Sequence, residues 1–221
     1  MTEAFEGARQ GALRVFRSLW RTQDCAALVR HLLSDMKPAM RPVVFVQTGV
    51  SAATVALAEA AARVGAAVYA CDSNRAAIAE LRERGGDALS EVIFLEGDTV
   101  ESLARISARH EQVDFALFDS EPSATHTLHE FQLLEPRLCP GARVLVADAS
   151  LPGARLVLGP CRKGKLLVPY LLASPLWRVK AHPRTGDSMV SAIHDRIGAR
   201  ADASYEDPAY AARWGSVLDT T

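Results

Sequence analysis

Between residues 43 and 148 five short apolar runs alternate with helical patterns. The runs are VVFVQ (43–47), AVYACD (67–72), EVIFLEGD (91–98), VDFALFD (113–119) and ARVLVAD (142–148). Between them lie SAATVALAEAAARVG (51–65), NRAAIAELRERGG (74–86), TVESLARISARH (99–110) and THTLHEFQLLEPRL (125–138). Strands that are apolar along their whole length are covered on both faces, and helical crossovers join strands that run parallel. The expected fold is α/β: a doubly wound, Rossmann-like, mostly parallel sheet. WRVKAHP (177–183) and DSMVSAIHD (187–195), joined by a tight RTGD turn, add a hairpin. The result is a seven-stranded sheet with an antiparallel edge.

Helical spacing of Leu13, Phe16, Leu19 and Trp20, and then CAALVRHLLSDM behind a capping Asp24, predicts helices ahead of the sheet. Pro38 and Pro42 punctuate the chain after them. The expected division is an N-terminal helical extension (1–38), an α/β domain (39–197) and a polar tail (198–221). The segment KLLVPYLLA adds a further apolar helix before the hairpin.

A chain of 221 residues with 49% hydrophobic residues has room for one α/β domain and a sizeable core. The net charge of −1, without a basic stripe, argues against nucleic acid and acidic membranes as partners. No apolar run approaches the ~20 residues of a membrane span. The first residues, MTEAFEGARQ, lack the basic start and apolar core of a secretory signal, so a cytoplasmic protein is expected. Cys25, Cys71, Cys139 and Cys161 are far apart and form no CxxC pair, which points to buried or idle thiols, not disulfides or zinc.

In an open parallel sheet, ligands bind beyond the carboxyl ends of the strands, where the strand order reverses. Gln47, Thr48, Gly49 and Ser51 follow strand one; Asp72 and Ser73 follow strand two. Gly97 and Asp98 follow strand three, Asp119 strand four and Asp148 strand five. Asp72 is placed to accept both hydroxyls of a ribose, and Gly49 to let a cofactor approach the backbone. Asp98 could take an adenine amino group, leaving Asp119 and Asp148 at the reacting end. Each acid also has a structural reading. Asp98 before TVESL is an ordinary helix cap, with Glu101 three residues on.

From FLEGD through LHEFQLLEPRLCPGARVLVAD the chain resembles the class I S-adenosylmethionine-dependent methyltransferases, within them the small-molecule O-methyltransferases. The likeness spans roughly residues 40–195. It rests on a GD after strand three, a VDFALFD fourth strand, a helix ending LLEPRL, a PG turn, a fifth strand ending in Asp and the late hairpin.

The resemblance implies S-adenosylmethionine as cofactor and a small molecule as methyl acceptor. It places Gln47, Gly49 and Ser51 on the family's first motif, acid-x-Gly-x-Gly. It puts Asp72 at the ribose, Asp98 near adenine and Asp119 near the methionine moiety or the acceptor. Gln47 replaces the family's acid, and Ser51 its second glycine. A metal-dependent branch, like catechol O-methyltransferase, carries Asp after strand four and Asp-Asn after strand five. Here Ala149 stands where Asn is expected, which takes away one of three protein oxygens.

Methyl transfer needs alignment and a base for the acceptor's proton. Asp119, His126 and Asp148 are the candidates, with His129 on the same helix face as His126 but more simply a solvated residue. Lys163 and Lys165 line an entrance or, by default, a solvated loop. EDPAY (206–210) resembles the D/N-P-P-Y motif of amino-group methyltransferases, but lies in the tail, away from strand four.

Two other readings stand beside this one. One is a catalytically weak member of the fold that serves as a binding or dimerisation module. The other is a nicotinamide-dependent oxidoreductase, which wants a G-x-G-x-x-G turn where this chain has GVSAAT. The N-terminal helices and KLLVPYLL could bury either an acceptor or a homodimer interface.

Overall fold

The computed structural model describes residues 25–149, 163–183 and 188–194. Seven strands form one sheet in the order β3-β2-β1-β4-β5-β7-β6. They are β1 (Val43–Thr48), β2 (Ala66–Asp72), β3 (Val92–Glu96), β4 (Val113–Phe118), β5 (Leu138–Val146), β6 (Trp177–Pro183) and β7 (Ser188–His194). β1 to β5 pair in parallel, whereas β7 is antiparallel to both β5 and β6. The doubly wound sheet and its edge hairpin are as the alternating pattern predicts. The strand order reverses between β1 and β4, which places the ligand crevice at their carboxyl ends.

The helices are α1 (described over residues 25–33), α2 (Ala52–Val64), α3 (Arg75–Gly85), α4 (Thr99–Arg109), α5 (Ala124–Leu134) and α6 (Gly164–Ala173). The side chains of each strand alternate between two cores. Val44 and Val46 join the core beneath α4, α5 and α6. Phe45, Phe115 and Leu117 join the core beneath α1 and α2. Val29 and Leu33 of α1 are fully buried in that second core. Arg63 of α2 donates to the Leu33 carbonyl at 3.0 Å and ties the helix end down. Among the described residues no helix is long and apolar enough to cross a membrane.

Two boundaries differ from the sequence pattern. The helix expected over 125–138 ends at Leu134 and gives way to a 3-10 turn, Glu135–Arg137. Pro136 has no N–H to continue the α-helical ladder, and its ring crowds the preceding turn. The fifth strand starts at Leu138, not at Ala142. Its register against β4 shifts between Val113 and Phe115. The strand thus carries Pro140 and Gly141 as an irregularity, with Gly141 at φ +87. The RTGD turn, the helices before residue 25 and the tail with EDPAY lie outside the described residues.

Candidate functional site

The turn after β1 is set by the end of β4. A Cβ on Gly49 would lie 2.1 Å from the Asp119 carbonyl oxygen and 2.7 Å from the Ser120 nitrogen. Gly49 also has φ +76, a conformation that glycine adopts without strain. Glycine is therefore required here by the crossing of two strand ends. The peptide N–H groups stitch the ends together: Gly49 to the Cys71 carbonyl at 2.8 Å and Asp119 to the Thr48 carbonyl at 2.8 Å. Ser51 caps α2, its hydroxyl accepting from the Ala53 N–H at 3.2 Å while Thr54 Oγ1 accepts from the Ser51 N–H.

Gln47 is fully buried at this turn. Its Nε2 donates to the Gly49 carbonyl at 2.6 Å. Its Oε1 is buried and has no hydrogen-bond partner among the described residues. An unpaired buried acceptor costs about 1–3 kcal/mol, so a ligand donor that reached it would bind with advantage.

Asp72 ends β2 and braces the same turn. Its Oδ2 accepts from the Val50 N–H at 2.8 Å and its Oδ1 from the Asn74 N–H at 2.7 Å. Each oxygen keeps a second lone pair for a ligand hydroxyl. Ser73 is exposed beside it. Gly97 at φ +129 donates to the Asp72 carbonyl at 3.0 Å, and a Cβ there would meet nothing within 4 Å. The ends of β2 and β3 thus leave open space above them. Asp98 is exposed and caps α4, accepting from the Glu101 N–H at 3.0 Å.

Thr48 and His126 turn to the opposite face of the sheet, onto a residue that the sequence reading passed over. Glu130 of α5 is fully buried. Its carboxylate accepts from Thr48 Oγ1 at 3.0 Å, Thr99 Oγ1 at 2.6 Å and Ser120 Oγ at 2.7 Å. His126 Nε2 lies 3.0 Å from Glu130 Oε1 and 2.9 Å from Thr99 Oγ1. His126 is therefore engaged by this network. His129 is exposed. A signal for Glu130 existed: it falls among Thr127, Phe131 and Leu134, the buried stripe of α5.

At the far end of the crevice Lys163 Nζ donates to Asp119 Oδ1 at 3.0 Å. The Lys163 side chain is 2% exposed, so the expected solvated loop is overturned for it; Lys165 is exposed. The cause is local packing. Lys163 stands one turn before Leu167 and Leu171, the buried stripe of α6. A Cβ on the next residue, Gly164, would lie 2.3 Å from the Ala149 carbonyl oxygen, so the helix start is pressed onto the end of β5. That stripe was the signal for Lys163.

Burial pushes the Asp119 carboxyl above the usual carboxylate range; Lys163 opposes this and Asp148 adds to it. The Cys25 thiol of α1 is pushed up by burial, with the charges of Asp119, Lys163 and Asp148 all reaching it. Those influences bring β4, β5, α6 and α1 together around one spot. Asp148 itself has φ +49, a strained backbone of the kind that gathers at functional sites. Cys71 and Cys139 are likewise buried free thiols, and Cys161 lies outside the described residues.

Residues 46–149 match the family model of a methyltransferase domain. No curated protein matches the chain. Among solved structures it is similar to an O-methyltransferase from Bacillus cereus crystallised with S-adenosylhomocysteine. That likeness has a TM-score of 0.61 and 16% identity, over 79% of this chain and 80% of the other. It is also similar to the O-methyltransferase TomG of Streptomyces achromogenes, involved in tomaymycin synthesis and crystallised with S-adenosylmethionine. There the TM-score is 0.59 and the identity 14%, over 78% of each chain. The chain thus has the class I methyltransferase fold, and its residues 46–149 match the methyltransferase-domain model, in line with the sequence resemblance.

Proposed function

We propose that this chain moves a methyl group from S-adenosylmethionine to a hydroxyl oxygen of a small-molecule acceptor. The observation that carries the reading is Gln47 Oε1, fully buried at the glycine turn and without a hydrogen-bond partner among the described residues. The cofactor's ammonium group is a donor of the kind that this orphan acceptor lacks. The rest of the crevice fits the same ligand. Asp72 keeps lone pairs for ribose hydroxyls, and the space over Gly97 is open for a flat base beside Asp98. A cofactor bound there would supply a methyl group activated by a cationic sulfur, with the neutral thioether as leaving group.

The chain's own part is alignment and proton removal. Asp119 is the base on this reading. It sits at the strand end next to the turn, and burial raises its proton affinity above that of an ordinary carboxylate. Asp148 lends negative charge that raises it further. His126 and Glu130 act from below by holding Ser120 and Thr99 in place.

The test is transfer of labelled methyl from S-adenosylmethionine to a panel of phenols, alcohols and carboxylates. The reading expects a methylated product with a hydroxyl acceptor, and a rate about 100-fold lower for Asp119→Asn. Product only at carboxylates or amines would contradict it.

A further inference from the structure

We propose that Lys163 stands where metal-dependent O-methyltransferases carry a divalent cation, so that methyl transfer by this chain needs no metal. The acceptor then offers one hydroxyl, not a chelating pair. The inference rests on the methyltransferase reading above and deepens it.

Four observations carry it. The Lys163 ammonium is 3.0 Å from Asp119 Oδ1, on the carboxylate that the metal-dependent branch would offer to its cation. That lysine is not a mobile surface group: its side chain is 2% exposed and Gly164 locks the start of α6 against Ala149. The position that would supply a third oxygen is Ala149, whose buried methyl offers none. Among the described residues no group of three or more His, Cys, Asp or Glu side chains is arranged to hold a metal ion.

Charge decides between the two cations. The Lys163 ammonium already gives the Asp119 carboxylate its positive partner at 3.0 Å. A divalent ion entering beside the ammonium would meet repulsion from it. Magnesium binds with few carboxylates only when waters or a ligand's oxygens complete its octahedron. An ammonium cannot do what the metal does for a catechol, which is to gather two adjacent oxygens in one coordination sphere. It can fix the Asp119 carboxylate so that one acceptor hydroxyl finds it. Lys163 is a positioning residue in this account.

Two measurements on the full-length protein test it. The first does not depend on activity. Manganese(II) is titrated calorimetrically into wild type and into Asp119→Asn, each saturated with S-adenosylhomocysteine. The proposal expects the two titrations to coincide. A site with Kd below about 100 µM that the Asp119→Asn change removes overturns it.

The second is turnover. Rates after exhaustive chelation should stay within about twofold of the untreated enzyme. A monophenol should be methylated as readily as the matching catechol. Lys163→Met should lower kcat about 100-fold with KM for the cofactor little changed, and Lys163→Arg should recover part of it. Loss of activity on chelation with recovery in magnesium overturns the proposal, as does an unaltered kcat in Lys163→Met. If no acceptor is methylated, the function reading fails, while the manganese titration still decides what occupies Asp119.

Discussion

Glu130 accepts a hydrogen bond from Thr48 Oγ1 at 3.0 Å, joining α5 to the last residue of β1 from beneath the glycine turn. The same carboxylate takes Thr99 and Ser120, so one buried charge ties β1, β4, α4 and α5 together at the crevice floor. The connection makes the site's floor a consequence of helix packing.

Removing that hub should be costly. Glu130→Ala leaves three hydroxyls and His126 without their shared acceptor and should destabilise the fold by about 3–5 kcal/mol. Glu130→Gln keeps an acceptor oxygen and the volume and should cost roughly half of that. Denaturant unfolding of the two variants beside wild type checks this. Equal, small losses would show that the network is not a structural tie.

Gly49 and Gly65 separate crowding from backbone strain. Both have positive φ, at +76 and +69. A Cβ on Gly49 meets the Asp119 backbone, whereas one on Gly65 meets nothing within 4 Å. Gly65→Ala should therefore cost only about 1 kcal/mol for its left-handed conformation. Gly49→Ala should cost about 2–4 kcal/mol and disturb ligand binding as well, since the strand ends must part. Thermal unfolding of both variants tests the ordering; equal losses would contradict it.

On the proposed function the Asp119 carboxyl sets the acid limb of activity. Its carboxylate is the form that accepts a proton, and that form exists above the group's pKa. Burial raises that pKa, so activity should be lost, as pH falls, before the ordinary Asp value of about 3.9 is approached. Lys163 pulls the value down, so Lys163→Met should move the limb to still higher pH. The pH profile of kcat/KM for the two proteins reads both shifts. A limb that moves down in Lys163→Met would remove Asp119 as the base.

The fold was legible because burial on both faces leaves a mark that needs no partner to read. VVFVQ and VDFALF are apolar apart from Gln47 and Asp114, and every one of their residues is buried. Asp98 was legible as a helix cap, and Asp72 as the acid at the tip of β2, because both positions follow from the local pattern of strand end and helix start. Lys163 and Glu130 were harder. Both are charged residues on buried helical stripes, and their burial depends on partners far away in sequence: Asp119 for one, Thr48 and Thr99 for the other. Helical periodicity marks the stripe, but not the distant group that makes a charge tolerable there. Gly49 illustrates the same limit. Its glycine was legible, whereas the reason for it, the Asp119 backbone, belongs to the tertiary fold.

The central claim is that the crevice over Gln47, Gly49 and Asp72 holds S-adenosylmethionine. Calorimetric titration of the purified protein with S-adenosylmethionine and S-adenosylhomocysteine tests it most directly. The account predicts binding with Kd on the order of 1–100 µM, weakened about tenfold or more by Asp72→Ala, which removes the ribose acceptor and the brace on Val50. No heat of binding up to about 1 mM would contradict it and leave a methyltransferase fold whose partner is something other than this cofactor.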